Sequence, residues 1–156
     1  MKRRKKYKPK GINVNAVEAV VTLAKPVKED SKFKLQADID IALLAFTKGV
    51  ATKYHFDTLA STVDVSLIAD QSAFDNVYHD DIMKAREGMI RCRERFMKTG
   101  KLGLDGEALQ AIKTVAYIHR QQLDNLTGAE LLQMYRARHY HIQSGNYYRG
   151  QNETRT

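Results

Sequence analysis

Apolar residues recur along this chain at intervals of three and four, the repeat of a helix that buries one face. Over about residues 31–48, Leu35, Ile39, Ala42, Leu43, Phe46 and Val50 share a side, and Gly49 supplies a stop. The opening of that stretch, Phe33, Leu35, Ala37 and Ile39, also alternates like a strand. The later helical repeat is longer and decides the assignment. A second stripe over about residues 52–71 carries Phe56, Leu59, Ala60, Val63 and Leu67. After a polar turn near residues 72–79 comes a helix rich in Lys and Arg, about residues 80–99, which Gly100 closes in a left-handed conformation. Asp105 reads as the N-cap of the next helix, whose stripe is Leu109, Ile112, Ala116, His119 and Leu123. Thr127 with Glu130 three residues on forms a capping box, opening a last helix through Leu131, Met134, Tyr135 and Ile142 that ends at Gly145.

Upstream, Asn15 with Glu18 resembles a capping box for a short helix carrying Val17, Val20, Val21 and Ala24, limited by Pro26. The frequency of Val leaves a strand open there. Short connections and only two prolines make an all-α fold the economical reading, an antiparallel helical bundle of about five to six helices. The expected domain spans residues 13–145, between a disordered basic arm at 1–12 and a flexible tail at 146–156 that lacks apolar periodicity. A chain of 156 residues with 43% hydrophobic content fills one core. No apolar run approaches the roughly 20 residues of a membrane span, and no apolar stretch with a cleavage site follows the basic start. The expected location is therefore the cytoplasm, with no membrane partner. Cys92 is the only cysteine, which excludes an intrachain disulfide or a thiolate zinc cage and suggests a small buried hydrophobe.

Charge changes the picture. The net charge is +8, and seven cations without a single acid stand in the first ten residues: Lys2, Arg3, Arg4, Lys5, Lys6, Lys8 and Lys10. That leaves 19 Lys and Arg against 18 Asp and Glu in the rest of the chain, so the body is nearly neutral. A segregated cationic leader seeks polyanions, because each ammonium or guanidinium set against a phosphate releases condensed counterions. Nucleic acid, DNA or RNA, is the partner this favours. An acidic protein face is the next choice, and anionic lipid the last, since electrostatics without an acyl chain anchors weakly.

Within the body, residues 30–81 carry nine acids against four lysines, while residues 82–101 carry seven cations against two acids. The basic helix is thus expected beside the acidic ones. Asp57 and Asp64 lie one heptad apart, as do Arg86 and Arg93, and antiparallel packing would pair Asp57 with Arg93 and Asp64 with Arg86 as structural ion pairs. Arg91, Arg95 and Lys98, with Lys84 a heptad earlier, line one face that could extend a phosphate footprint. The competing reading is a solvated helix, with Glu87 and Glu94 four residues before Arg91 and Lys98. The run from Leu59 to Ser66 partly matches a helix-turn-helix, but Asp64 stands at the turn glycine, Asp70 at an apolar position, and the stripe runs on unbroken. Arg136, Arg138, His139, Tyr140, His141, Tyr147, Tyr148 and Arg149 interleave aromatics with cations, a combination that stacks on bases.

Signals for chemistry are absent from the pattern. His139 and His141, two apart on a helix, point to different faces, and His119 falls inside an apolar stripe as a core histidine. No HExxH, Walker or GxSxG motif occurs. The expectation is a protein with no metal, no cofactor and no catalytic residues. The apolar content of a six-helix chain this size allows a homodimer.

The segments KRRKKYKPK, FTKGVATKYHFDTLASTVDVS and LDNLTGAELLQMY resemble a family of small helical proteins encoded by bacteriophages and prophages. That family carries no assigned catalytic or ligand residues, so the resemblance implies a setting and transfers no site. The setting is a bacterial cytoplasm during infection or lysogeny, which adds a host protein as a partner class for a small phage effector.

Overall fold

The computed structural model describes residues 24–143. Five helices make up the described chain: α1 (Glu29–Thr47), α2 (Lys53–Ala73), α3 (His79–Thr99), α4 (Gly106–Leu123) and α5 (Gly128–Gln143). The fold is all-α, as the spacing of apolar residues dictates. The basic arm, the helix expected to start at Asn15, the Gly145 stop and the tail lie outside the described residues.

Each boundary has a local cause. Glu29 and Asp30 occupy the first turn of α1, where acids favour the positive end of the helix dipole. The strand-like alternation over residues 33–39 is overridden because only the helical repeat brings Ile39, Ala42 and Phe46 inward together; Phe33 stays 76% exposed. Gly49 ends α1 with φ 72°, and the His55 Nδ1 accepts from the Thr52 N–H at 3.0 Å to cap α2. Between α2 and α3, Asp75 and Asn76 take φ of 52° and 59°. This left-handed pair is fastened by Asp70, whose backbone carbonyl accepts from Asn76 at 3.0 Å and whose carboxylate accepts from the Tyr78 N–H at 3.0 Å. Asp70 is fully buried, so the acid at an apolar position is a turn anchor inside one continuous helix.

Gly100 closes α3 with φ 70°. Asp105 caps α4 by accepting from the Ala108 N–H at 2.8 Å. The box at α5 is reciprocal: the Thr127 N–H donates to Glu130 Oε2 at 2.8 Å and the Glu130 N–H to Thr127 Oγ1 at 3.2 Å. Three sequence-level cap assignments are thus realised by the bonds the spacing calls for.

Helix α2 is the centre of the bundle and packs against the other four. Its single expected stripe is too narrow a description, because Thr62, Val65, Ser66, Ala69 and Asp70 are buried as well as Phe56, Leu59, Ala60 and Val63. One apolar cluster joins Ile39, Ala42, Leu59, Val63, Ile82, Met89, Cys92, Ile112 and Val115. A second gathers Val27, Val65, Ala69, Leu123, Leu126, Leu131 and Met134 around α5. The run of neighbours is antiparallel: Lys53 at the start of α2 sits 5.6 Å from the Phe96 ring near the end of α3, and Lys32 early in α1 bridges to Asp124 at the end of α4 at 3.0 Å. Cys92 is buried, as a lone small hydrophobe should be, and desolvation pushes its thiol up.

Helices α3 and α4 approach closely at Gly88. A Cβ placed on Gly88 would lie 2.5 Å from the Ala108 Cβ and 2.9 Å from the Ala108 Cα. Only a residue without a side chain admits that separation.

Candidate nucleic-acid interface

The seven leader cations, Lys2, Arg3, Arg4, Lys5, Lys6, Lys8 and Lys10, lie outside the described residues. The structure does describe the point where residues 1–23 join the bundle. The Val27 N–H donates to the Leu126 carbonyl at 3.2 Å and the Gly128 N–H to the Lys25 carbonyl at 3.1 Å, which ties residues 25–27 to the α4–α5 connection. Pro26 and Thr127 form the isolated bridge between these two segments. Buried Val27 adds an apolar anchor to the junction.

Helix α3 carries the rest of the expected footprint. Its inward residues are Ile82, Ala85, Gly88, Met89 and Cys92, and Lys84, Arg91, Arg95 and Lys98 line the flank of that face on which Gly88 lies. The close pass at Gly88 brings the start of α4 against this side, and the result is an ion pair. Arg91 Nε donates to Asp105 Oδ2 at 3.0 Å and Nη2 to Oδ1 at 3.4 Å. Arg95 donates to the Gly103 carbonyl at 3.2 Å, with its Nη2 4.0 Å from the same Asp105 oxygen. Asp105 therefore caps α4 and receives two arginines at once. The Arg91 guanidinium and the Ala108 N–H hold its carboxyl below the ordinary carboxylate range.

This revises the expectation for two residues. Arg91 and Arg95 are engaged by the loop that ends α3, and one carboxylate offsets part of their charge, so they brace the α3–α4 hairpin. Lys98, in the last turn, is exposed. The signal for this arrangement was in the sequence: Asp105 is the acid that follows Arg95 most closely in a short loop, and a hairpin folds it back over the preceding turns.

The heptad pairing is revised at Asp57. Asp57 is exposed and makes no ion pair among the described residues, so the pairing with Arg93 is not formed. Asp64 is met by Arg138 of α5, whose Nε donates to Oδ2 at 3.0 Å, with side chains 16% and 15% exposed respectively. Heptad spacing points Asp64 toward Arg86, and the structure sets Arg138 on the same carboxylate. Heptad spacing says which residues share an edge of α2; it cannot say that α5, remote in sequence, arrives at that edge.

Of the aromatic and basic residues near the C-terminus, Arg138 is thus turned inward and Tyr135 is mostly buried, with desolvation raising its phenol. Tyr140 is 70% exposed and stands edge-on to the His141 ring at 6.2 Å. Tyr147, Tyr148 and Arg149 lie outside the described residues. His119 is 2% exposed, its Nδ1 3.2 Å from Ser66 Oγ, and Gln122 Nε2 donates to the Ser66 carbonyl at 3.0 Å. Burial lowers the His119 imidazole to about 4. This polar seam joins α2 to α4 in the core. No group of three metal-ligating side chains occurs among the described residues, and no helix there is long and apolar enough to cross a membrane.

No protein-family model matches the chain, and neither a curated protein nor a solved structure matches it.

Proposed function

We propose that this protein acts stoichiometrically as a nucleic-acid-associated accessory or regulatory protein, with residues 2–10 as its phosphate-binding leader. The observation that carries the reading is the segregation of charge: seven cations and no acid in ten residues, joined to a body with 19 cations and 18 acids. A second observation narrows it. Because Arg91 and Arg95 serve Asp105, the leader supplies the main backbone affinity and Lys98 a peripheral contact. The proposed setting is the cytoplasm of a bacterium carrying the phage or prophage suggested by the resemblance.

The alternative reading, a phage effector that grips a host protein, draws on the apolar side chains left on the surface, Phe33, Val77 and Met97 among them. A fluorescence-anisotropy titration with random duplex and single-stranded DNA and RNA separates the two, comparing the full chain with one starting at Gly11. Nucleic-acid binding predicts loss of affinity on truncation. For four or five neutralised phosphates, it also predicts a fall of roughly a hundredfold to several hundredfold between about 50 and 200 mM salt. Equal or absent binding by both chains refutes the leader's role and moves the assignment to the effector.

A further inference from the structure

Helix α1 is apolar on two opposite sides. Ile39, Ala42, Ala45 and Phe46 are buried against the bundle, while Phe33, Ile41 and Leu44 are 76%, 56% and 57% exposed. Helical spacing puts Phe33, Ala37, Ile41 and Leu44 within about 80° of one another, on the side opposite the core. Asp30 and Lys48 fall on this same outward stripe, one at each end of the helix, and both are exposed. Neither makes a side-chain ion pair among the described residues.

The stripe is self-complementary when reversed. A twofold axis at Ile39 sets Ala37 of one copy opposite Ile41 of the other and Phe33 beside Leu44. It also sets Asp30 opposite Lys48, twice. Antiparallel helices align their dipoles favourably and bring the acidic first turn of each against the end that carries the lysine. We infer that the outward face of α1 is a homodimer interface, an isologous antiparallel helix pair built on Phe33, Ala37, Ile41 and Leu44 and keyed by two Asp30–Lys48 ion pairs.

The dimer stands without the nucleic-acid reading. Where that reading also holds, dimerisation places the two junctions of residues 1–23 roughly 30 Å apart, from the rise along α1 and an ordinary interhelical distance. One turn of duplex is about as long. Two leaders then grip one nucleic acid with the gain of a second, intramolecular contact.

Sedimentation equilibrium of the full chain, run over a wide concentration series into the high micromolar range, tests the interface. The expected result is a reversible monomer–dimer equilibrium. Ile41→Glu buries two like charges at the seam and should leave only monomer, with an unchanged far-ultraviolet circular dichroism spectrum because the residue is exposed. Asp30→Lys sets lysine against Lys48 at both ends and should weaken the dimer by roughly tenfold or more. The double variant Asp30→Lys with Lys48→Asp restores opposite charges and should recover most of that loss. A chain that is monomeric throughout overturns the proposal, as does a dimer indifferent to Ile41→Glu. Failure of the double variant to recover overturns the antiparallel pairing.

Discussion

Gly88→Ala is the substitution in which helix propensity and packing give opposite answers. Gly88 lies inside α3, where alanine is favoured over glycine by about 1 kcal/mol. On that ground alone the variant gains stability. The new methyl carbon, however, meets the Ala108 Cβ at 2.5 Å and its Cα at 2.9 Å, where carbon atoms prefer about 3.5–4.0 Å. No rotamer change relieves this, because both Ala108 atoms belong to or hang directly from the α4 backbone. Relief requires the two helices to part by about 1 Å. That loosens Met89 and Cys92 against Ile112 and Val115 and draws Asp105 away from Arg91. Overpacking of this kind costs about 1–3 kcal/mol beyond what the rest of the substitution gives. Including loss of contact along the seam, the net expectation is destabilisation of about 1–3 kcal/mol, or roughly 2–10 °C in Tm for a chain of this size. Urea unfolding followed at 222 nm measures it. Gly106→Ala, at the first position of α4 with nothing within 4 Å, is the control and should be neutral or stabilising. Ala108→Gly in the Gly88→Ala background removes the Cβ clash and should recover part of the loss, with a coupling of about 1 kcal/mol or more. A Gly88→Ala chain that is more stable than the parent refutes the close approach of α3 and α4.

The other predictions address protons, charges and the surface. His119 is held neutral in the fold, with its folded value lowered to about 4, so between that value and about 6.5 the unfolded chain binds the proton first. Stability should fall as pH drops through that window, by about 3 kcal/mol in all, and His119→Gln should flatten the dependence in urea titrations at a series of pH values. Asp64→Ala leaves the mostly buried Arg138 without its carboxylate and should cost about 1–3 kcal/mol, whereas exposed Asp57→Ala should stay within about 0.5 kcal/mol. Equal losses at the two positions would revive the heptad pairing with α3. Removal of residues 1–10 should abolish salt-sensitive binding to nucleic acid while leaving the unfolding midpoint of the bundle unchanged. Ile41→Glu should convert a concentration-dependent dimer to monomer without loss of helix content.

The sequence alone settled what local physics controls. Apolar spacing required helices because a stripe at three and four residues can be buried in no other regular form, and Gly49, Gly100, Asp105 and the Thr127–Glu130 pair marked their ends because φ sign and cap geometry depend on a few adjacent residues. The uneven placement of charge was equally legible, since it is a property of the chain before it folds. What needed the tertiary structure was every question of which helix lies beside which. One partner of Asp64 is 74 residues away on α5, and α2 is buried on several sides because four helices surround it. A helical repeat tells a side chain which edge it shares; only the packed bundle brings a neighbour to that edge, and electrostatic partners, being chosen by proximity, are decided there.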